Sequence, residues 1–151
     1  MRTREEITEE VSKLIEKNND AYLGYKNAAE NVSNTPLKSF LEQQSEKRNR
    51  YATELQSGLE ILDPSAETNK SGSLKGDVHR AWMDLKAAFS SESEEKVLEE
   101  CIRGEKASME EYHAVLANAG ELPSTVTETI KKQHDEIHET VNTVKRLEDL
   151  F

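Results

Sequence analysis

The sequence predicts an all-α protein: a four-helix bundle in which a long crossover joins the second helix to the third. Apolar residues recur at alternating three- and four-residue steps along four long stretches, which is typical of helices packed in a bundle. Short loops with proline or glycine separate the first stretch from the second and the third from the fourth. Each of these pairs is therefore expected to form an antiparallel hairpin, and the 151 residues suit a single domain.

The four helices are predicted over residues 4–32, 36–62, 93–118 and 123–150. Thr3 is expected to cap the first helix, and Thr35 the second, with Pro36 at its first helical position. The stripes of the first two helices are Ile7, Val11, Leu14, Asn18, Ala21, Tyr25, Ala28 and Val32, and Leu37, Leu41, Gln44, Arg48, Tyr51, Leu55, Gly58 and Leu62. Those of the last two are Leu98, Cys101, Glu105, Ser108, Tyr112, Val115 and Ala119, and Val126, Ile130, Gln133, Ile137, Val141 and Val144.

A crossover over residues 63–92 joins the two hairpins and contains a further predicted helix over residues 74–89. Trp82, the single tryptophan of the sequence, is its expected packing anchor. A helix of about 26 residues is roughly 39 Å long, and the crossover is long enough to travel that distance. The second and third helices are therefore expected to run parallel, which is the connectivity of ferritin-like bundles.

Composition restricts the partners of the protein. The net charge of −10 repels nucleic-acid phosphates and anionic lipid. No apolar run approaches the roughly 18 residues that a membrane-spanning helix requires, and the first ten residues lack the apolar segment of a signal peptide. One cysteine cannot form an internal disulfide, which is compatible with a reducing compartment. We therefore expect a cytoplasmic protein that binds neither nucleic acid nor membrane.

Residues along nearly the whole chain give it a family resemblance, and those of the crossover are the most specific. They are Gly24, Tyr25, Glu54, Leu55, Gly72, Ser73, His79, Arg80, Ala81, Trp82, Leu85, Lys86, Glu105, Tyr112 and His138. With these residues the sequence resembles a bacterial family of ferritin-like four-helix-bundle proteins whose domain has no established function. The resemblance implies the fold, and it implies no reaction or ligand because the family has none assigned.

A layer of polar residues is predicted at mid-bundle, where polar positions interrupt the apolar stripes at one height. Its members are Asn18, Gln44, Arg48, Glu105 and Gln133. A buried charge is costly unless it is paired, so Arg48 and Glu105 are expected to form an ion pair with hydrogen bonds from the amides and nearby tyrosine hydroxyls. Such a layer would fix the register of the helices.

A metal centre is the competing interpretation of the same layer. Ferritin-like dimetal centres take glutamates and Glu-x-x-His pairs from their four helices. Here the candidate ligands for iron or manganese are Glu105 in the third helix and Asp135, His138 and His134 in the fourth. The first two helices lack matching ligands on their stripes, and Arg48 adds positive charge where the cations would lie. The sequence therefore favours the ion pair.

The predicted function is that of a non-enzymatic structural or protein-interaction module that needs no cofactor. A degenerate iron- or manganese-binding protein is the alternative. Tyr22 and Phe40 lie beside the stripes of the first two helices and are candidates for the contact of a homodimer. The sequence indicates no particular protein partner.

Overall fold

The structure is a computed structural model that describes residues 3–64, 94–118, 120 and 122–148. Within these residues it contains four α-helices and no β-strand, which confirms the all-α prediction with four helices. They are α1 (Arg4–Asn31), α2 (Thr35–Leu62), α3 (Glu94–Leu116) and α4 (Ser124–Glu148). Of the helices described, none has the length and apolar content needed to cross a membrane. The predicted crossover helix over residues 74–89 and its anchor Trp82 lie outside the described residues.

The first two helices begin at polar caps. The hydroxyl of Thr3 accepts a hydrogen bond from a first-turn N–H of α1 at 3.1 Å, as predicted. The cap of α2 is Asn34, whose Oδ1 accepts from the N–H of Leu37 at 3.0 Å. The prediction of Thr35 as the cap was wrong by one residue: the Asn34 amide reaches the first turn, so Thr35 is itself helical and Pro36 is the second helical residue.

Two clusters of buried apolar side chains form the core of the described residues. One cluster consists of Ala21, Tyr25, Ala28, Ala29, Leu37, Phe40, Leu41, Val97, Leu98, Cys101 and Val144. The other consists of Ile7, Val11, Leu14, Ile15, Tyr51, Ala52, Leu55, Leu59, Leu62, Tyr112, Val115, Val126, Ile130 and Ile137. Each cluster draws on all four helices, so each lies towards one end of the bundle.

The membership of the clusters fixes the directions of the helices. The second halves of α2 and α3 meet the first half of α1 in one cluster, and their first halves meet the second half of α1 in the other. Helices α2 and α3 therefore run parallel, and α1 is antiparallel to both. The start of α4 lies beside the end of α2, where Val126 Cγ2 is 3.4 Å from the position a Cβ would take on Gly58. Leu62 and Glu94 therefore lie towards opposite ends of the bundle.

Candidate functional site

An ion pair between α2 and α3 lies between the two apolar clusters. Arg48 Nη2 is 2.5 Å from Glu105 Oε2, and the two side chains are only 2% and 1% exposed. Nη1 of Arg48 donates to Asn18 Oδ1 at 2.8 Å, and Nη2 also donates to Ser108 Oγ at 3.1 Å. Arg48 belongs to the inward stripe of α2, so its guanidinium is held in the core and must be paired there.

The second oxygen of Glu105 is engaged as well. The hydroxyl of Tyr25 in α1 donates to Glu105 Oε1 at 2.5 Å. Both carboxylate oxygens therefore accept short hydrogen bonds, one from a guanidinium and one from a phenol, and bonds to an ionised acceptor are stronger than those between neutral groups. Each oxygen of the buried carboxylate thus has a protein hydrogen-bond partner.

A second branch of the layer carries the hydrogen bonds to α4. Asn18 Nδ2 donates to the hydroxyl of Tyr112 at 2.8 Å, and that hydroxyl donates to Gln133 Oε1 at 2.6 Å. Gln133 Nε2 in turn donates to Glu54 Oε1 at 2.9 Å and to the carbonyl of Tyr51 at 3.3 Å. One continuous network thus joins all four helices at mid-bundle.

Two further contacts lie between α2 and α4 at the margin of the layer. Thr140 Oγ1 donates to Gln44 Oε1 at 3.4 Å, and both residues are buried. Glu136 Oε1 accepts from the Tyr51 hydroxyl at 3.1 Å and from Arg50 Nη2 at 2.7 Å. The Arg50 side chain is 50% exposed, so its ion pair is screened by solvent and contributes little to stability.

Burial and the ion pair set the protonation states of the layer. Burial, and next the nearby Glu105 carboxylate, raise the pKa of Tyr25 well above its ordinary value. Burial also raises the pKa of Tyr112, although Arg48 and the bond with Asn18 oppose the change. Burial lowers the pKa of Arg48, but Glu105 and the surrounding tyrosines more than offset this, so the net change is upward. The layer therefore holds a cationic guanidinium among neutral phenols.

The only cysteine lies close to the layer. Cys101 is fully buried in the first apolar cluster. Burial, and next the charge of Glu105, raise the pKa of its thiol well above the ordinary value. The thiolate is the reactive form of cysteine, so burial of Cys101 among apolar side chains favours the unreactive thiol.

The structure does not bring the predicted metal ligands together. Glu105 is in the layer, whereas His134, Asp135 and His138 lie off the inward face of α4, which Gln133 and Ile137 occupy. His134 Nδ1 is 3.2 Å from Asp135 Oδ1, the Asp135 side chain is 68% exposed, and His138 is also exposed. Across the described ranges, no three His, Cys, Asp or Glu side chains are grouped so that they could hold a metal ion.

All five residues predicted for the polar layer are buried, each with an exposed fraction of 5% or less. They are Asn18, Gln44, Arg48, Glu105 and Gln133. Sequence reasoning expected tyrosine hydroxyls nearby without identifying them, and it missed Ser108, Glu54 and Thr140 as members of the network. The signal for Ser108 and Tyr112 was their spacing of three and seven residues from Glu105, which places them on the same helix face. Glu54 carried no such signal, because it flanks the apolar stripe of α2.

Together the fold and this layer define a class of protein: an all-helical bundle organised around a buried ion pair. Over residues 6–118 the chain matches the family described as Domain of unknown function (DUF2383), and it belongs to that family. The matched range includes Arg48 and Glu105 and ends before α4. No curated protein and no solved structure matches the chain. The predicted membership of a domain family of unknown function is confirmed, while its ferritin-like and bacterial character remain predictions.

Proposed function

We propose that the protein is a ferritin-like bundle that acts as a non-enzymatic structural or protein-interaction module. The observation that carries the proposal is the state of Glu105, whose two oxygens are occupied by Arg48 and Tyr25. A carboxylate that binds metal must offer an oxygen to the ion. Here the Arg48 guanidinium, which has a permanent positive charge, lies beside Glu105 Oε2 where a metal ion would bind.

The directions of the helices support the ferritin-like part of the proposal. Parallel α2 and α3, each antiparallel to α1, require a connection along the bundle rather than a tight turn. Bundles with one such long crossover are the ferritin-like type. A simple up-and-down bundle would place the end of α2 beside the start of α3.

The alternative function is a degenerate iron or manganese centre at Glu105 with Asp135 and His138. It requires Arg48 to leave the carboxylate, which would strand a buried guanidinium at a cost of several kcal/mol. It also requires α4 to turn about its axis, so that Asp135 and His138 replace Gln133 and Ile137 on the inward face. That rotation would break the bonds from Gln133 to Tyr112 and Glu54.

Metal analysis tests the proposal against this alternative. Tag-free protein produced with added iron and manganese is expected to retain neither metal in stoichiometric amount. A content of about two such ions per chain, as in dimetal bundles, would contradict the proposal, and its loss in Glu105→Gln would assign the centre to this carboxylate. Arg50→Gln is a control, because it removes a charged side chain of α2 at the margin of the layer and leaves Glu105 in place.

The interaction part of the proposal concerns the surface of the bundle. A layer that holds one register of four helices gives the exposed faces a constant shape, which a binding partner requires. Phe40, a predicted dimer contact, is buried in the first cluster, while Tyr22 is half-buried. On this face Tyr22, but not Phe40, is therefore available for the contact of a homodimer. Light scattering that shows only monomer at high protein concentration would contradict the homodimer.

The buried, free Cys101 fits action in the reducing cytoplasm.

A further inference from the structure

Helix α1 is covered on all sides at the height of the polar layer. Asn18, Asn19, Asp20 and Ala21 are consecutive in the sequence, and none has more than 7% of its surface exposed. Consecutive residues of an α-helix point about 100° apart, so these residues together face every side of α1. The burial arises within a single chain, so some part of this chain lies over each of these sides.

The neighbouring helices account for the sides of α1 that face them. In α2, Ser45 Oγ donates to a backbone carbonyl of α1 at 3.2 Å, and in α3, Glu111 Oε1 is 2.8 Å from Lys17 Nζ. Helix α4 lies diagonally across the bundle, beside α2 and α3. Asp20 lies two residues, or about 200°, from the inward-facing Asn18, so it points out of the bundle. None of the other three described helices therefore lies over Asp20, although only 4% of its surface is exposed.

The outer side of α4 differs from that of α1. Lys131, Lys132 and Asp135 lie at the height of the polar layer, and all three are exposed. Helices α2 and α3 are diagonally opposed, so a chain that runs from the end of α2 to the start of α3 passes beside either α1 or α4. The burial of Asp20 on one side and the exposure of α4 on the other favour the route beside α1.

Chain length leaves one segment that can cover Asp20. Residues 65–93 follow Leu62 and precede Glu94, which lie towards opposite ends of the bundle. The other residues outside the described ranges are 1–2, 119, 121 and 149–151. Each of these short stretches adjoins the end of a helix and reaches at most about 10 Å, whereas Asp20 is at least about 16 Å from either end of α1.

The composition of residues 65–93 also suits this surface. A buried carboxylate needs hydrogen-bond donors or a cation beside it, and the segment carries Lys70, Lys75, Arg80 and Lys86. Gly24, one turn after Asp20, is buried as well, and its lack of a side chain lets another segment approach the α1 backbone closely. We infer that the side of α1 around Asp20 and Gly24 is the docking surface of residues 65–93. The inference does not rest on the proposed function.

The reactivity of an introduced thiol tests whether this side of α1 is covered. Asp20→Cys and the matched control Asp135→Cys each place a cysteine on the outer side of a helix, in a Cys101→Ala background. A water-soluble disulfide reagent should modify the Asp20→Cys variant at least about tenfold more slowly than the Asp135→Cys variant, because the covered thiol reacts only after local opening.

The fluorescence of Trp82, the single tryptophan of the sequence, tests whether residues 65–93 form the cover. A nitroxide quenches indole fluorescence only at short range. A nitroxide on Leu23→Cys, at an exposed position three residues after Asp20, should remove most of the Trp82 fluorescence. The same label on Asp135→Cys should leave it nearly unchanged, because the outer sides of diagonally opposed helices are about 20 Å or more apart.

Two results would overturn the inference. Equal labelling rates of Asp20→Cys and Asp135→Cys would show that α1 is open at this height. Quenching of Trp82 that is no stronger from Leu23→Cys than from Asp135→Cys would show that residues 65–93 do not dock on α1. Circular dichroism should show the same helix content for every variant, which separates a lost cover from a lost fold.

Discussion

At the scale of single residues, the Arg48–Glu105 pair shows how a polar group can be kept in a bundle core. Removing two charges from water costs several kcal/mol for each ion, and their mutual attraction offsets this only when the other polar atoms are also bonded. Here Asn18, Ser108 and Tyr25 supply those additional bonds. We therefore expect the pair to contribute more to a unique arrangement of the helices than to net stability.

Tyr112 connects the two branches of the layer, so its hydroxyl can be tested alone. Tyr112→Phe removes the partner of Gln133 Oε1 and of one Asn18 N–H, and leaving buried polar groups unpaired costs about 1–3 kcal/mol. The free energy of unfolding in urea should fall by that amount. Tyr22→Phe is the control, because the half-buried Tyr22 lies outside the layer, and it should change stability by no more than about 0.5 kcal/mol. Equal effects of the two substitutions would contradict the account.

The tyrosines also predict how stability depends on pH. The pKa of each buried hydroxyl, in Tyr25, Tyr51 and Tyr112, is raised, chiefly by burial. Below the unfolded-state pKa of about 10 these groups are neutral in both states. Above it the unfolded chain releases protons that the folded chain retains, so the free energy of unfolding falls by up to about 1.4 kcal/mol per pH unit for each tyrosine.

An alkaline titration measures this effect. Tyrosinate absorbance from the three buried residues should rise together with the loss of helical circular dichroism. In Tyr25→Phe the slope of stability against pH should be shallower by about 1.4 kcal/mol per pH unit. Ionisation of all four tyrosines while the helices remain intact would contradict the burial of these hydroxyls.

The residues of the layer were predictable to different degrees. Arg48 and Glu105 are the only charged residues on the four stripes, so their pairing followed from the cost of burying a charge alone. Tyr112 was harder to assign, because a tyrosine on a stripe is read as apolar until its hydroxyl has a partner. Whether His134 and His138 lie near Glu105 depends on the rotation of α4 about its axis. The spacing of Gln133 and Ile137 defines that rotation only approximately.

At the scale of helices, the start of α2 provides a test between neighbouring residues. Asn34 and Thr35 are both good cap residues, and only the geometry of the loop decides between them. The structure uses Asn34, so Asn34→Ala should lower the free energy of unfolding by about 1 kcal/mol. Thr35→Ala should have little effect, because Thr35 is helical and exposed. A larger loss of unfolding free energy from Thr35→Ala than from Asn34→Ala would indicate that Thr35 is the cap, as the sequence predicted.

Helix periodicity made most of the fold readable from the sequence. The four stripes are sustained over many turns, and the observed helices begin and end close to where the stripes do. Caps were less certain, because adjacent residues compete for the same N–H groups. The crossover helix and Trp82 stay a prediction, since they lie outside the described residues.

At the scale of the whole molecule, parallel α2 and α3 have a measurable consequence. Spin labels at Ile61→Cys and Glu95→Cys, in a Cys101→Ala background, lie near the end of α2 and the start of α3, both at exposed positions. Helices of this length span roughly 35–40 Å, so the pulsed-EPR distance should be of that order. The control pair Ile61→Cys and Thr125→Cys joins the adjoining ends of α2 and α4 and should give a much shorter distance. The reverse order of distances would contradict the topology.

A double-mutant cycle on Arg48 and Glu105, run with and without a chelator, tests the central claim most directly. Breaking a buried pair leaves one charge unpaired, so Arg48→Met and Glu105→Gln should each lower the free energy of unfolding by about 3–5 kcal/mol. The double variant should lose much less than the sum of the two, and chelator should change none of these values. If instead the effects are additive, or if chelator destabilises the wild type as Glu105→Gln does, the ion-pair layer is not what organises this bundle.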